Sequence, residues 1–176
     1  MDFWEPPTYE NTYPNGLFVL IAAQIKSVRC LSGSIFQYSP LPLESFSLLG
    51  ICLGMQLFGL KSDEGSLPGL SWLELESKKF NPPDPRLFPV PHLGWEYVSI
   101  KNNGSKLLKG FDDETKFYFA HSYYVNCKNR EEVILEANYI HSFDASVQKN
   151  HIAGVQFHPE KSHSWGIDLL SNFARQ

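Results

Sequence analysis

Hydrophobic positions fall into short runs broken by proline, glycine and polar residues. Leu48-Leu49-Gly50-Ile51 suits a buried strand, and residues 53–60 then suit a helix. Residues 17–30 begin with the longest apolar run, 17–25, and fit a strand or a short buried helix, because periodicity does not separate the two. Residues 31–45 read as loop, with Pro40 and Pro42 set against a regular helix. Five of the eleven residues in 81–91 are proline, which predicts an extended connection. Beyond it, 96–100, 116–120, 123–127, 133–139 and 152–157 are β-rich and predict strands. A closing helix is expected over 167–175, where Ile167, Leu170 and Ala174 share one face. The sum is a mixed α/β fold whose sheet is partly antiparallel in its second half.

A chain of 176 residues fits one domain with enough length to bury a real core. Fifteen Lys and Arg against nineteen Asp and Glu leave a net charge of −4, with no basic block. Nucleic acid and anionic membrane are therefore poor candidates for partners. Residues 1–16 carry Pro6, Pro7, Pro14 and Gly16 among polar groups, and read as a disordered tail before a domain over 17–176. That tail holds Asp2, Glu5 and Glu10 but no Lys or Arg, so it does not read as a signal peptide. The run 17–25 is too short to span a bilayer. Three cysteines, Cys30, Cys52 and Cys127, are an odd number without a CxxC pair, which argues against a disulfide framework or zinc ribbon. A soluble cytoplasmic protein is the expectation.

Chemistry concentrates in Gly50-Ile51-Cys52-Leu53-Gly54-Met55-Gln56. Strand, then G-x-C-x-G, then helix is a nucleophile-elbow arrangement with cysteine in the place of serine. A strained turn needs close neighbours without side chains, which Gly50 and Gly54 supply. The helix N-terminus is expected to favour the Cys52 thiolate and lower its pKa, and the Leu53 amide to face the oxyanion of a tetrahedral intermediate. The same spacing also fits a buried structural cysteine between two helix-packing glycines.

A thiol attacking an amide needs a base, and the leaving amine needs a proton; imidazole serves both. Of six histidines, His158 follows an apolar strand and precedes Pro159 and Glu160, so H-P-E sets a carboxylate near the ring. A turn histidine beside an exposed glutamate is the plainer alternative. His141, His151 and His163 lack such context, and His121 reads equally as a packed loop histidine.

Together, GICLGMQ at 50–56 and GVQFHPEKS at 154–162 resemble the two active-site motifs of the class I (triad) glutamine amidotransferases. Pro91-His92-Leu93-Gly94-Trp95 and the segment 118–125, with its H-S-Y-Y-V, look like the HisH-type glutaminase subunits of imidazole glycerol phosphate synthases. The resemblance is clear over 46–176. It implies a flavodoxin-like α/β amidotransferase domain with a mixed sheet, incomplete at its N-terminal side. It also implies Cys52 as nucleophile, His158 as base and Glu160 as its orienter. Gln56, Leu53, Ser122 and Tyr123 would bind L-glutamine, and Pro91, His92, Gly94, Trp95 and Lys161 would face a HisF-type cyclase partner in histidine biosynthesis. No metal or organic cofactor is implied. Alternatives are a paralogue supplying ammonia for surface-sugar biosynthesis, or a catalytically impaired binding subunit.

Upstream of residue 46 the family pattern stops, and its L-P-G-V-G loop, which completes the oxyanion side, has no counterpart beyond a faint echo at residues 31–36. A βα unit takes about 20–25 residues. The fifty-one residues before Cys52 hold one such unit and a fragment, where the family has about three.

Overall fold

The computed structural model describes the backbone of residues 17–22 and all of residues 47–176. The expected tail at 1–16, the expected loop at 31–45 and Cys30 lie outside the described residues. Among the described residues the elements are β1 (Leu17–Ala22), β2 (Ser47–Cys52), α1 (Leu53–Leu57), β3 (Lys61–Ser62), β4 (Leu75–Lys79), β5 (His92–Ile100), β6 (Lys116–His121), β7 (Tyr123–Cys127), β8 (Val133–Asn138), β9 (Ser142–Lys149), β10 (Ile152–Val155) and α2 (His163–Ala174).

The sheet is mixed. β2 lies between β1 and β10 and runs parallel to both. β10 then pairs antiparallel with β9, and the order continues through β7 and β4. On the other edge of β9 lies β8, which pairs with the second half of β5, while the first half of β5 pairs with β6. Among the described residues no helix is long and apolar enough to cross a membrane.

Alternation along the strands builds a core on each face. Leu49, Ile51, Ala153 and Val155 point to one side, with Phe117, Phe119, Phe143, Phe157 and the α2 residues Leu169 and Phe173. Met55, Phe58, Leu73, Leu75, Val125, Val147 and Ile152 fill the other. On that second face α1 lies directly against β2 and β10. A Cβ at Gly50 would come within 2.5 Å of the Phe58 ring, and one at Gly154 would collide with Met55. Glycine at both positions is what lets the helix follow so closely on the strand.

Several expectations need correction. The helix predicted over 53–60 ends at Leu57, because Phe58 and Gly59 turn back onto residues 55 and 56 and the chain swings towards β4. Residues 81–91 are not extended throughout: the amides of Leu87 and Phe88 bond the Asp84 carbonyl, closing a turn. The buried face of α2 is Gly166, Leu169 and Phe173, whereas Ile167 is 66% exposed. β3, β4 and β9 form where the sequence pattern predicts no strand.

Candidate active site

β2 and β10 end side by side, with Ile51 in register with Val155, so the segments leaving both strands share the carboxyl edge of the parallel region. That edge is where open α/β sheets present chemistry. Cys52 leaves β2 at φ 52°, ψ −108°. A side chain at positive φ is strained, and here the strain turns the sulfur out of the strand at the start of α1. The Leu53 amide bonds the sulfur, and Gln156 Nε2 approaches it at 3.5 Å.

Burial nonetheless dominates the thiol. Its pKa is pushed up to about 11, with the Leu53 and Gln156 hydrogen bonds opposing the shift and the charges of Glu160 and Glu64 adding to it. The expected lowering of the Cys52 pKa is thus reversed. A five-residue helix carries too small a dipole to offset the loss of water around an anion.

His158 sits two residues beyond the partner of Cys52 in that register. Its amide donates to the Tyr118 carbonyl at 2.9 Å, and its own carbonyl accepts from Ser162 Oγ at 2.7 Å. Ser162 Oγ also accepts from the Tyr118 amide at 3.0 Å, so one buried hydroxyl ties the H-P-E turn to β6. His158 Nδ1 is 2.7 Å from Glu160 Oε1. A carboxylate only accepts, so Nδ1 carries the hydrogen and Nε2 keeps the lone pair of a base.

Gln56 is buried, and its amide nitrogen donates to the Tyr123 carbonyl at 3.1 Å and to Gln156 Oε1 at 3.0 Å. The Tyr123 backbone therefore meets the elbow helix. The Ser122 carbonyl instead accepts from the Phe80 amide.

The residues expected to face a partner divide. Trp95, 38% exposed, stacks on His163 at 5.4 Å and meets the Tyr118 ring edge-on, while Lys161 Nζ lies 6.0 Å over the same Tyr118 ring. Leu93 and Tyr97 extend this exposed face of β5. Pro91 is exposed and Gly94 half-buried. His92 points the other way. It is 2% exposed, stacks on Tyr139 at 3.9 Å and lies 3.3 Å from His121 Nε2, so its ring is not part of that surface.

Gln156, Ser162 and Glu64 act on this site in addition to the residues the motifs assign. The first two lie inside the 154–162 motif, where the polar residues flanking an apolar strand are a usable signal. Glu64 is exposed and lies outside both motifs, and nothing around it marks it.

The class-I glutamine amidotransferase family model matches residues 37–176. The imidazole glycerol phosphate synthase subunit HisH 2 of Pseudomonas aeruginosa is 43% identical over 126 residues, covering 72% of this chain and 61% of that protein. HisH 2 of Methanococcus maripaludis is 44% identical over 135 residues, 76% and 64% of the two chains. HisH 1 of Campylobacter jejuni strain RM1221 is 46% identical over 129 residues, 73% and 62%. The chain thus spans a little over 60% of the length of these curated relatives. A solved structure described as a GMP synthase subunit from Thermoplasma acidophilum superposes with a TM-score of 0.52 at 20% identity, over 73% of this chain and 55% of the other. That is a likeness of fold.

Proposed function

This chain belongs to the class-I glutamine amidotransferases, and from that premise we propose that it is the glutaminase subunit of an imidazole glycerol phosphate synthase. The observation that carries the reading is the pairing of Cys52 at positive φ with the His158–Glu160 turn at the ends of two adjacent parallel strands.

In the proposed reaction His158 takes the thiol proton as Cys52 attacks the glutamine carboxamide. The Leu53 amide stabilises the oxyanion, and the protonated imidazole returns its proton to the departing ammonia. Water, deprotonated by His158, then attacks the γ-glutamyl thioester, releasing glutamate and the free thiol. With a thiol held near pKa 11, the sulfur is neutral at rest, so proton transfer must accompany attack. Ammonia would pass to a HisF-type cyclase seated against the Leu93, Trp95 and Lys161 face. The setting is the cytoplasm, where a free thiol stays reduced. The second reading is a catalytically silent binding subunit that keeps the exposed Leu93, Trp95 and Lys161 face.

Treating the protein with the glutamine analogue diazo-oxo-norleucine and mapping adducts by mass spectrometry tests the chemistry. The expected result is a single adduct on Cys52, with glutamate release from glutamine that rises when a HisF-type synthase is added. An adduct elsewhere removes Cys52 as nucleophile, and no adduct with or without the synthase leaves the silent subunit.

A further inference from the structure

Behind the thiol, buried polar groups form a continuous chain that the reaction above does not use. Gln156 Nε2 faces Cys52 Sγ at 3.5 Å, and Gln156 Oε1 accepts from Gln56 Nε2 at 3.0 Å. The other hydrogen of that nitrogen goes to the Tyr123 carbonyl at 3.1 Å, and the same carbonyl accepts from His121 Nδ1 at 2.7 Å. His121 Nε2 is 3.3 Å from His92 Nδ1, and His92 Nε2 is 3.1 Å from Glu96 Oε1. Gln156, Gln56, His121 and His92 are all buried, so water does not replace a lost partner.

Donor and acceptor chemistry gives the chain one direction. A carbonyl only accepts, so His121 Nδ1 holds the hydrogen. Burial keeps His121 neutral, its pKa pushed down to about 3, and its Nε2 presents a lone pair. His92 must then donate through Nδ1, which leaves His92 Nε2 and the Glu96 carboxylate as two facing acceptors. They attract only when one proton lies between them. At the other end, Gln56 uses both amide hydrogens, so Gln156 must turn its oxygen to Gln56 and its NH2 to the sulfur.

We propose that Gln56, Gln156, His121 and His92 are positioning residues for Cys52, forming a buried relay that aims an amide N–H at the sulfur. The proposal rests on Cys52 being the nucleophile. An N–H aimed at sulfur favours the thiolate over the thiol, which is the direction attack requires. The titratable groups facing His92 are Glu96 on its own strand, His121 on β6 and Tyr139 after β8, whose hydroxyl donates to the Pro89 carbonyl. Glu96 favours a charge on His92 and burial opposes it, with the net direction downwards from an ordinary imidazole. His158, through its charge, acts on His121 from the catalytic side.

The test is the rate of iodoacetamide alkylation at Cys52 in the full chain, read by mass spectrometry from pH 6 to 11, with melting recorded for each variant. Gln156→Met keeps the bulk but removes the N–H. It should slow alkylation at pH 8 about tenfold and move the profile to higher pH, the size expected for one hydrogen bond to a charged group. His92→Phe, which keeps the ring stacking but removes the Nδ1–H given to His121, should move the profile the same way by about threefold. A folded Gln156→Met with the parent profile overturns the proposal. So does the parent profile in a folded His92→Phe. Glutamine hydrolysis by the parent is measured alongside. Shifted alkylation profiles without hydrolysis would retain the relay and retire the glutaminase reading.

Discussion

The parallel region around β2 and β10 and the antiparallel region around β5 and β6 solve opposite problems. In the first, the inward side chains of β2 and β10 are aliphatic or absent, and Cys52 takes a strained positive φ where β2 ends. In the second, two histidines, each no more than 5% exposed, are buried against aromatic rings and must find partners for every ring nitrogen. The contrast teaches where specificity is stored. Close packing of α1 on glycine fixes where the thiol stands, and the polar core fixes what points at it.

The largest effect expected is at Cys52, the proposed nucleophile. Cys52→Ala should reduce glutamine hydrolysis by at least about 10⁴-fold, as removing an acyl-forming nucleophile does. Cys127→Ala should leave turnover intact, because that thiol lies in the other core beside Glu132 and Asn129. Steady-state glutamate release separates the two, and substantial activity in Cys52→Ala would undo the assignment.

Next comes His158, the proposed base. His158→Asn should cost about 10²–10⁴-fold in turnover with little change in melting. Glu160→Gln should cost less, since its amide oxygen can still accept from Nδ1. Equal losses in kcat for the two would mean that Glu160 does more than orient the ring.

Packing in the parallel region is tested by Gly154→Val, which drives a side chain into Met55 beneath α1. Overpacking of this kind costs about 1–3 kcal/mol, read as a lower urea midpoint. The same midpoint in Gly154→Val and the parent would show that α1 is free to lift.

The smallest effect sharpens the polar side of the comparison. His121 has its pKa lowered from 6.5 to about 3 by burial, so the folded state favours the neutral ring. Below about pH 6.5 the unfolded chain binds a proton that the folded chain refuses. Stability from this group is therefore complete above about pH 6.5 and falls as the pH drops towards 3, by about 2 kcal/mol at pH 5. Urea unfolding at pH 8 and pH 5 measures it, and His121→Gln should flatten the difference. A parent with equal stability at both pH values would place the ring in contact with water.

What the sequence alone determined is whatever a short stretch of chain decides locally. Tyr123–Cys127 forms the strand its residues predict. The elbow at 50–54 and the H-P-E turn are legible because strain, thiol and imidazole each lie within a few positions of the residues that explain them. Tertiary structure decided the rest, through partners far away in the chain. β9 is hidden in the sequence because Asp144 and Ser146 look like surface residues. They are satisfied in the interior by Arg130 and the Cys127 amide in one case and by the Gly154 carbonyl in the other. The buried face of α2 depends on its register against the turn at Leu107–Lys109, whose carbonyls hold Asn172, and not on hydrophobic spacing within the helix. His92 and His121 face each other across 29 residues, and Gln56 and Gln156 across 100. A buried polar side chain is stable only when its partner exists, and no local pattern announces a partner that the fold supplies.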